Sequence, residues 1–122
     1  MKSYTDIEQS KRLAYILPRE SADMEYLALK ENGVLIGAVP FVKDDSEVED
    51  SAYNYAYDRI ACWSLAALID ILPKQVMLNG SAKNSYWYCK CEDAFNSAFA
   101  DSDNPIDACY ELILKLHELN LL

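Results

Sequence analysis

The stretch EYLALKENGVLIGAVPFV, Glu25–Val42, holds the strongest local structural signal in the chain. Two β-rich runs flank Asn32-Gly33, the residue pair that best tolerates the positive φ angles of a two-residue hairpin turn. Pro40 has no N–H to donate to a strand ladder, so the second strand is expected to end there or to lie at a sheet edge. The sequence therefore predicts a β-hairpin with an edge strand.

A second hairpin is predicted further along the chain. KQVMLN (Lys74–Asn79) and SYWYCKC (Ser85–Cys91) are β-rich runs, and the loop between them contains the glycine that such a loop usually needs. Helices are expected to begin at the capping box of Thr5 to Glu8, at Ser64 and at Asn104-Pro105. We expect an α+β fold in which two β-hairpins form an antiparallel sheet of about four strands, covered by three or four helices.

The segment between the first hairpin and Ser64 has two interpretations. Ser46 to Glu49 repeats the capping-box pattern and predicts a helix, whereas an extended chain would put three alternate tyrosines on one face of a strand. The acidic and aromatic side chains of this segment are candidate contacts for a partner protein, and they are Asp44, Asp45, Glu47, Tyr53, Tyr55 and Tyr57.

The length and charge of the chain exclude several classes of function. With 122 residues, the chain is expected to form one globular domain over residues 1–122. Eleven basic residues against twenty acidic ones give a net charge of -9, which repels phosphate backbones and anionic headgroups. The sequence has no signal-peptide core and no long apolar run, so we expect a cytoplasmic protein that binds neither nucleic acid nor membranes directly.

Four side chains are the candidates for chemistry. Cys89 and Cys91 share one face of a predicted strand, and Cys109 and His117 would complete a set of four metal ligands or a thiol site. Zinc ligands usually have two to four residues between paired cysteines, and here there is one. We therefore expect buried, reduced thiols and a histidine on the apolar face of the last helix, with no catalytic, cofactor or metal site.

The predicted strand at Ser85–Cys91 carries a second set of candidate contacts. Tyr86, Trp87 and Tyr88 are consecutive, so one face of this strand must present aromatic surface to another element or to a partner. Nine tyrosines against three phenylalanines favour rings with one solvated end, as at partial burial or an interface.

Three phrases carry a resemblance to a known group of proteins. ILPRESADMEY (Ile16–Tyr26), WSLAALIDILP (Trp63–Pro73) and NPIDACYELILKLHELNLL (Asn104–Leu122) resemble small uncharacterised proteins of gut anaerobic bacteria, their prophages and mobile elements. Val39–Ile60 has no counterpart there, and Ala61 stands where that group would have proline. The resemblance implies a cellular setting and assigns no active-site residues.

These observations predict a small acidic protein with a non-enzymatic, protein-interaction or accessory role in a phage or mobile element. The partner is either another protein or a second copy of the chain. Three alternatives remain open: a thiol- or metal-dependent enzyme that uses Cys89, Cys91, Cys109 and His117, an acidic inhibitor that mimics nucleic acid, and a small-ligand pocket lined by tyrosines.

Overall fold

The computed structural model describes residues 2–43, 57–92 and 97–122, and the backbone but not the side chain of Tyr57. The chain divides into two compact units, Asp6–Trp63 and Met1–Thr5 with Ser64–Leu122. The described helices and strands are, in chain order, α1 (Ile7–Ala14), β1 (Met24–Glu31), β2 (Val34–Val42), β3 (Tyr57–Cys62), α2 (Leu65–Ile71), β4 (Val76–Ser81), β5 (Tyr86–Glu92), β6 (Ser97–Ser102) and α3 (Pro105–Glu118), with a 3-10 helix at Arg19–Ser21.

The α+β class agrees with this architecture, but the predicted sheet of about four strands is wrong. The described strands form two separate antiparallel sheets of three strands, with orders β2-β1-β3 and β4-β5-β6. Each predicted hairpin is present, and each pairs with a third strand, β3 or β6, that local sequence signals do not predict. The first hairpin, β1-β2, lies in one sheet and the second, β4-β5, lies in the other. The single domain over residues 1–122 stays a prediction.

The first hairpin turns where the sequence predicts. Asn32 has φ 53° and Gly33 has φ 80°, the left-handed backbone that a two-residue hairpin turn requires. β1 lies at the centre of its sheet and β2 at an edge, so the edge position expected from Pro40 is confirmed.

Pro40 also makes this edge a poor template for a further strand. The Lys43 amide donates to the Asp23 carbonyl at 3.1 Å, so this pair is hydrogen-bonded. Pairs in an antiparallel ladder alternate, which makes Tyr26–Pro40 a pair without mutual hydrogen bonds. The position of the missing N–H therefore faces away from β1, and it interrupts the outer row of donors that an added strand would need.

A buried carboxylate organises the unit Asp6–Trp63. The Glu25 side chain is in β1 and only 5% of the residue is exposed. Its two oxygens accept hydrogen bonds from Arg19 at 3.1 Å and from Arg59 at 3.3 Å. A buried charge is tolerated only with such partners, so Glu25 holds the 3-10 helix and β3 against the central strand.

Helix caps in the second unit follow the sequence prediction. The Ser64 hydroxyl accepts from the Ala67 amide at 3.2 Å, and the Asn104 side chain accepts from the Asp107 amide at 2.9 Å, with Pro105 in the first turn.

In α1, which belongs to the unit Asp6–Trp63, the cap is Asp6 with Gln9, one residue later than the predicted pair Thr5 and Glu8. Thr5 is fully buried, whereas the capping residue Asp6 is exposed.

The helix α3 covers one face of the sheet β4-β5-β6. Its buried residues include Ile106, Cys109, Leu112, Ile113 and Leu116, all with 0% exposure. The Lys115 ammonium donates to the Phe99 carbonyl and ties the last turn of the helix to β6. Among the described residues, no helix is long and apolar enough to cross a bilayer.

Two glycines, Gly80 in β4 and Gly37 in β2, differ in the space around them. A Cβ on Gly80 would lie 2.4 Å from the Trp87 ring and 2.6 Å from the Tyr86 carbonyl, whereas a Cβ on Gly37 would meet nothing within 4 Å. We expect Gly80→Ala to lower the free energy of unfolding by about 1–3 kcal/mol, because the backbone carbonyl cannot move aside.

Gly37→Ala is the matched control, and we expect a change of at most about 1 kcal/mol in either direction. Urea unfolding followed by circular dichroism measures both. Equal losses of stability in the two variants would contradict the close approach of the Trp87 ring and the Tyr86 carbonyl to Gly80.

Candidate functional site

The strand β5 separates its three consecutive aromatic residues between two faces of the sheet. Trp87, Cys89 and Cys91 alternate along the face that α3 covers, and Trp87 is half-buried beside Gly80. Tyr86 and Tyr88 point to the opposite face. The sequence predicted all three rings as partner contacts, and the structure brings together only the two tyrosines.

Register extends the tyrosines into a larger apolar surface. Lys90 is the cross-strand partner of both Met77 in β4 and Phe99 in β6, so these side chains share a face with Tyr86 and Tyr88. Met77 is 51% exposed, Tyr86 47% and Phe99 45%. We name Met77, Tyr86, Tyr88 and Phe99 the aromatic face.

The rings of the aromatic face contact one another. The Tyr86 and Tyr88 ring centroids are 6.2 Å apart, and those of Tyr88 and Phe99 are 5.8 Å apart with an interplanar angle of 26°. Ring pairs at these distances attract each other beyond the burial of their area. The three rings therefore form a continuous, partly pre-ordered row.

The polar ends of both tyrosines are held by neighbours on the same face. The Asn79 amide donates to the Tyr88 hydroxyl at 3.2 Å. Partial removal from water raises the pKa of the Tyr86 hydroxyl, and the charge of Asp101 and its hydrogen bond from this hydroxyl raise the pKa further. The Tyr86 hydroxyl therefore remains neutral at physiological pH and can bond to a polar group of a partner.

The four candidate side chains for chemistry do not assemble into one cluster. Cys89 and Cys109 face each other with their sulfur atoms 4.0 Å apart, and both are fully buried. Cys91 lies on the same face of β5 as Cys89 and is 7% exposed. All four cysteines of the chain are buried and none is in a disulfide.

His117 corrects one of the sequence predictions. The apolar face of α3 buries Ile106, Cys109, Tyr110, Ile113 and Leu116, but His117, which is predicted on the same face, is exposed. It lies in the last turn of the helix, where a basic group in solvent interacts favourably with the helix dipole. Within residues 2–43, 57–92 and 97–122, no three His, Cys, Asp or Glu side chains are placed to hold a metal ion.

The environment of the Cys89–Cys109 pair keeps Cys89 protonated. The adjacent Cys109 thiol and burial together raise the pKa of Cys89 far above its usual range. A thiolate is the nucleophilic form of cysteine, so the described geometry gives Cys89 the properties of a core residue.

The acidic part of the predicted interaction surface lies outside the described residues. Asp44, Asp45, Glu47, Tyr53 and Tyr55 fall within residues 44–56, and Tyr57 begins β3 with its side chain undescribed. These residues stay a prediction.

Sequence reasoning missed a cavity in the unit Asp6–Trp63. Lys11, Arg19 and Arg59 line it together with apolar side chains. Because these cations lie far apart in the sequence, no local motif marks them, and the excess of acidic residues in the whole chain hides them.

Comparison of the chain with protein-family models, with curated proteins and with solved structures gives no match. The interpretation of both surfaces therefore rests on their geometry and chemistry.

Thiol labelling tests whether the cysteines are core residues. With an aromatic disulfide reagent at pH 8, we expect the native chain to react about a thousandfold or more slowly than the unfolded chain, because reaction requires opening of the core. All four thiols should react in guanidinium chloride. Lys83→Cys, which adds an exposed thiol in the loop after β4, should react at once and serves as the control. Rapid reaction of native Cys89 or Cys109 would support the thiol enzyme instead.

Proposed function

We propose that this chain is a non-enzymatic interaction protein of the cytoplasm that binds a basic partner protein through the aromatic face. The observation that carries the proposal is the row of contacting rings of Tyr86, Tyr88 and Phe99 on the sheet face opposite α3. The resemblance to proteins of phages and mobile elements adds that setting to the proposal.

The composition of the aromatic face supports a protein as the ligand. Tyrosine, phenylalanine and methionine are enriched in protein interfaces, and tyrosine supplies a large contact area at a low cost in side-chain entropy. The hydrogen bonds of the Tyr86 hydroxyl with Asp101 and of the Tyr88 hydroxyl with Asn79 restrict both rings before a partner protein binds. A platform that is ordered beforehand loses less entropy when the partner binds.

The aromatic face is a better candidate than the exposed strand β2. Val34, Ile36, Val39 and Val42 are each at least 58% exposed, so β2 also presents apolar surface. Pro40 interrupts its outer edge, however, which disfavours the addition of a partner strand. A partner would bind the aromatic face through side-chain contacts, so this binding does not depend on an uninterrupted row of backbone donors.

Charge determines the kind of partner. Two copies of a chain with a net charge of -9 repel each other, whereas a basic protein is attracted over several ångströms. On the sheet face itself, Asp101 beside Tyr86 and Lys90 opposite Met77 and Phe99 carry charges of opposite sign, so the attraction to a basic protein comes from the net charge of the whole chain. The proposed partner therefore combines an apolar patch with lysine or arginine side chains around it.

Matched double variants test the proposal. Tyr86→Lys with Phe99→Lys places two positive charges on the aromatic face. Ile69→Lys with Leu119→Lys makes the same change in charge at two exposed apolar residues elsewhere, 48% and 51% exposed. A protein that the tagged chain retains from its own cells is purified, and its affinity is measured by calorimetry against all three chains. We expect the first variant to weaken binding by about 10- to 100-fold and the second to change it less than about threefold.

The dependence of binding on ionic strength and the oligomeric state of the chain provide two further tests. Binding should weaken as ionic strength rises, because charge attraction is screened. Equal affinity of both double variants for the purified partner would contradict the proposal. Sedimentation of the chain alone as a dimer that the first variant dissociates would replace the basic partner with a second copy.

A further inference from the structure

The unit Asp6–Trp63 contains a cavity with an unusual lining for so acidic a chain. Its volume is about 420 Å³, within the range of small-molecule sites. Its walls combine three cations with apolar side chains, and the lining residues are Lys11, Ala14, Tyr15, Leu17, Arg19, Arg59, Ile60, Ala61 and Trp63. No carboxylate is among them.

The local charge of the cavity is opposite to that of the chain. Lys11, Arg19 and Arg59 contribute three positive charges, and Glu25, which bonds to both arginines, contributes one negative charge. The lining of the cavity thus carries three cations and no carboxylate, which favours an anionic ligand. The net charge of -9 still repels polyanions at long range, so the favoured ligand has a small charge.

The walls of the cavity are held in place. Glu25 is 5% exposed and fixes one nitrogen of each guanidinium. Trp63 is fully buried, and its indole N–H donates to the Ser21 hydroxyl at 3.0 Å. The arginines and the indole are therefore positioned before a ligand enters, which lowers the entropic cost of binding.

Lys11 provides a positive charge that takes no part in the ion pairs of the described residues. It is exposed on α1, and among the described residues no carboxylate lies within ion-pair distance of it. Arg19 and Arg59 have a structural role beside Glu25. Lys11 can therefore be changed without breaking that network.

We propose that this cavity binds a small organic anion that has one carboxylate or phosphate head and a flat apolar body. The head lies among Lys11, Arg19 and Arg59, since guanidinium and ammonium groups both recognise these oxyanions. The body packs against Ala14, Tyr15 and Ile60, the apolar lining residues that are exposed or half-buried. This activity is separate from the binding of a protein through the aromatic face.

Three naphthalene derivatives of similar size test the proposal by calorimetry. They are 2-naphthylacetate, 2-naphthyl phosphate and the neutral 2-naphthylacetamide. We expect the amide to bind the native chain at least about tenfold more weakly than one of the anions, because it lacks the charge that the cations recognise. The stronger of the two anions identifies the head group.

Lys11→Gln and Lys74→Gln form the variant pair. Both remove one exposed positive charge, but Lys74 does not line the cavity. We expect Lys11→Gln to weaken binding of the anion by roughly 3- to 10-fold and Lys74→Gln to change it less than about twofold. Circular dichroism confirms that both variants fold.

Three results would overturn the proposal. They are equal affinity for 2-naphthylacetamide and the two anions, equal effects of Lys11→Gln and Lys74→Gln, and no binding of any probe at concentrations up to about 5 mM. None of these results bears on the variants of the aromatic face, so the two proposals fail independently.

Discussion

The packing of α3 against one face of the sheet β4-β5-β6 is the constraint on which the proposed interaction surface depends. Successive side chains of a strand point to opposite faces, so a helix that covers Cys89 and Cys91 leaves Tyr86 and Tyr88 on the other side. Register then adds Met77 and Phe99 to the same face. Burial of the thiols and exposure of the tyrosines therefore have one cause. A shift of the β5 register by one residue would place the tyrosines under α3 and the thiols on the opposite face.

A comparable constraint shapes the unit Asp6–Trp63. A carboxylate buried in the central strand needs cationic partners, and Glu25 takes them from the 3-10 helix and from β3. Both arginines consequently lie at the wall of a cavity. A group that stabilises the fold thus prepares a positive site in an acidic chain, and Lys11 adds a charge that the fold does not require.

Local signals in the sequence predict much of this structure, while the assembly of the sheets could not be predicted. Asn32-Gly33, Ser64 and Asn104-Pro105 act through backbone geometry and hydrogen bonds within a few residues, so their turns and caps are where the sequence places them. The third strands β3 and β6 read YDRIAC and SAFADS, runs too short and too mixed in polarity for a clear period of two. Alternation along β5 was readable, but which face α3 would cover depends on contacts distant in sequence. The cations of the cavity are likewise brought together only by the fold.

Hydroxyl-radical footprinting of the native chain, read by mass spectrometry, tests most directly whether α3 and the aromatic face lie on opposite sides of the sheet. The structure predicts rapid oxidation of Met77, Tyr86 and Phe99, each corrected for its intrinsic reactivity. Cys89, Cys109 and Leu112 should be protected, and unfolding should remove that protection. Protection of Tyr86 and Phe99 together with oxidation of Cys89 would mean that the sheet presents its other face, and the proposed interaction surface would be wrong.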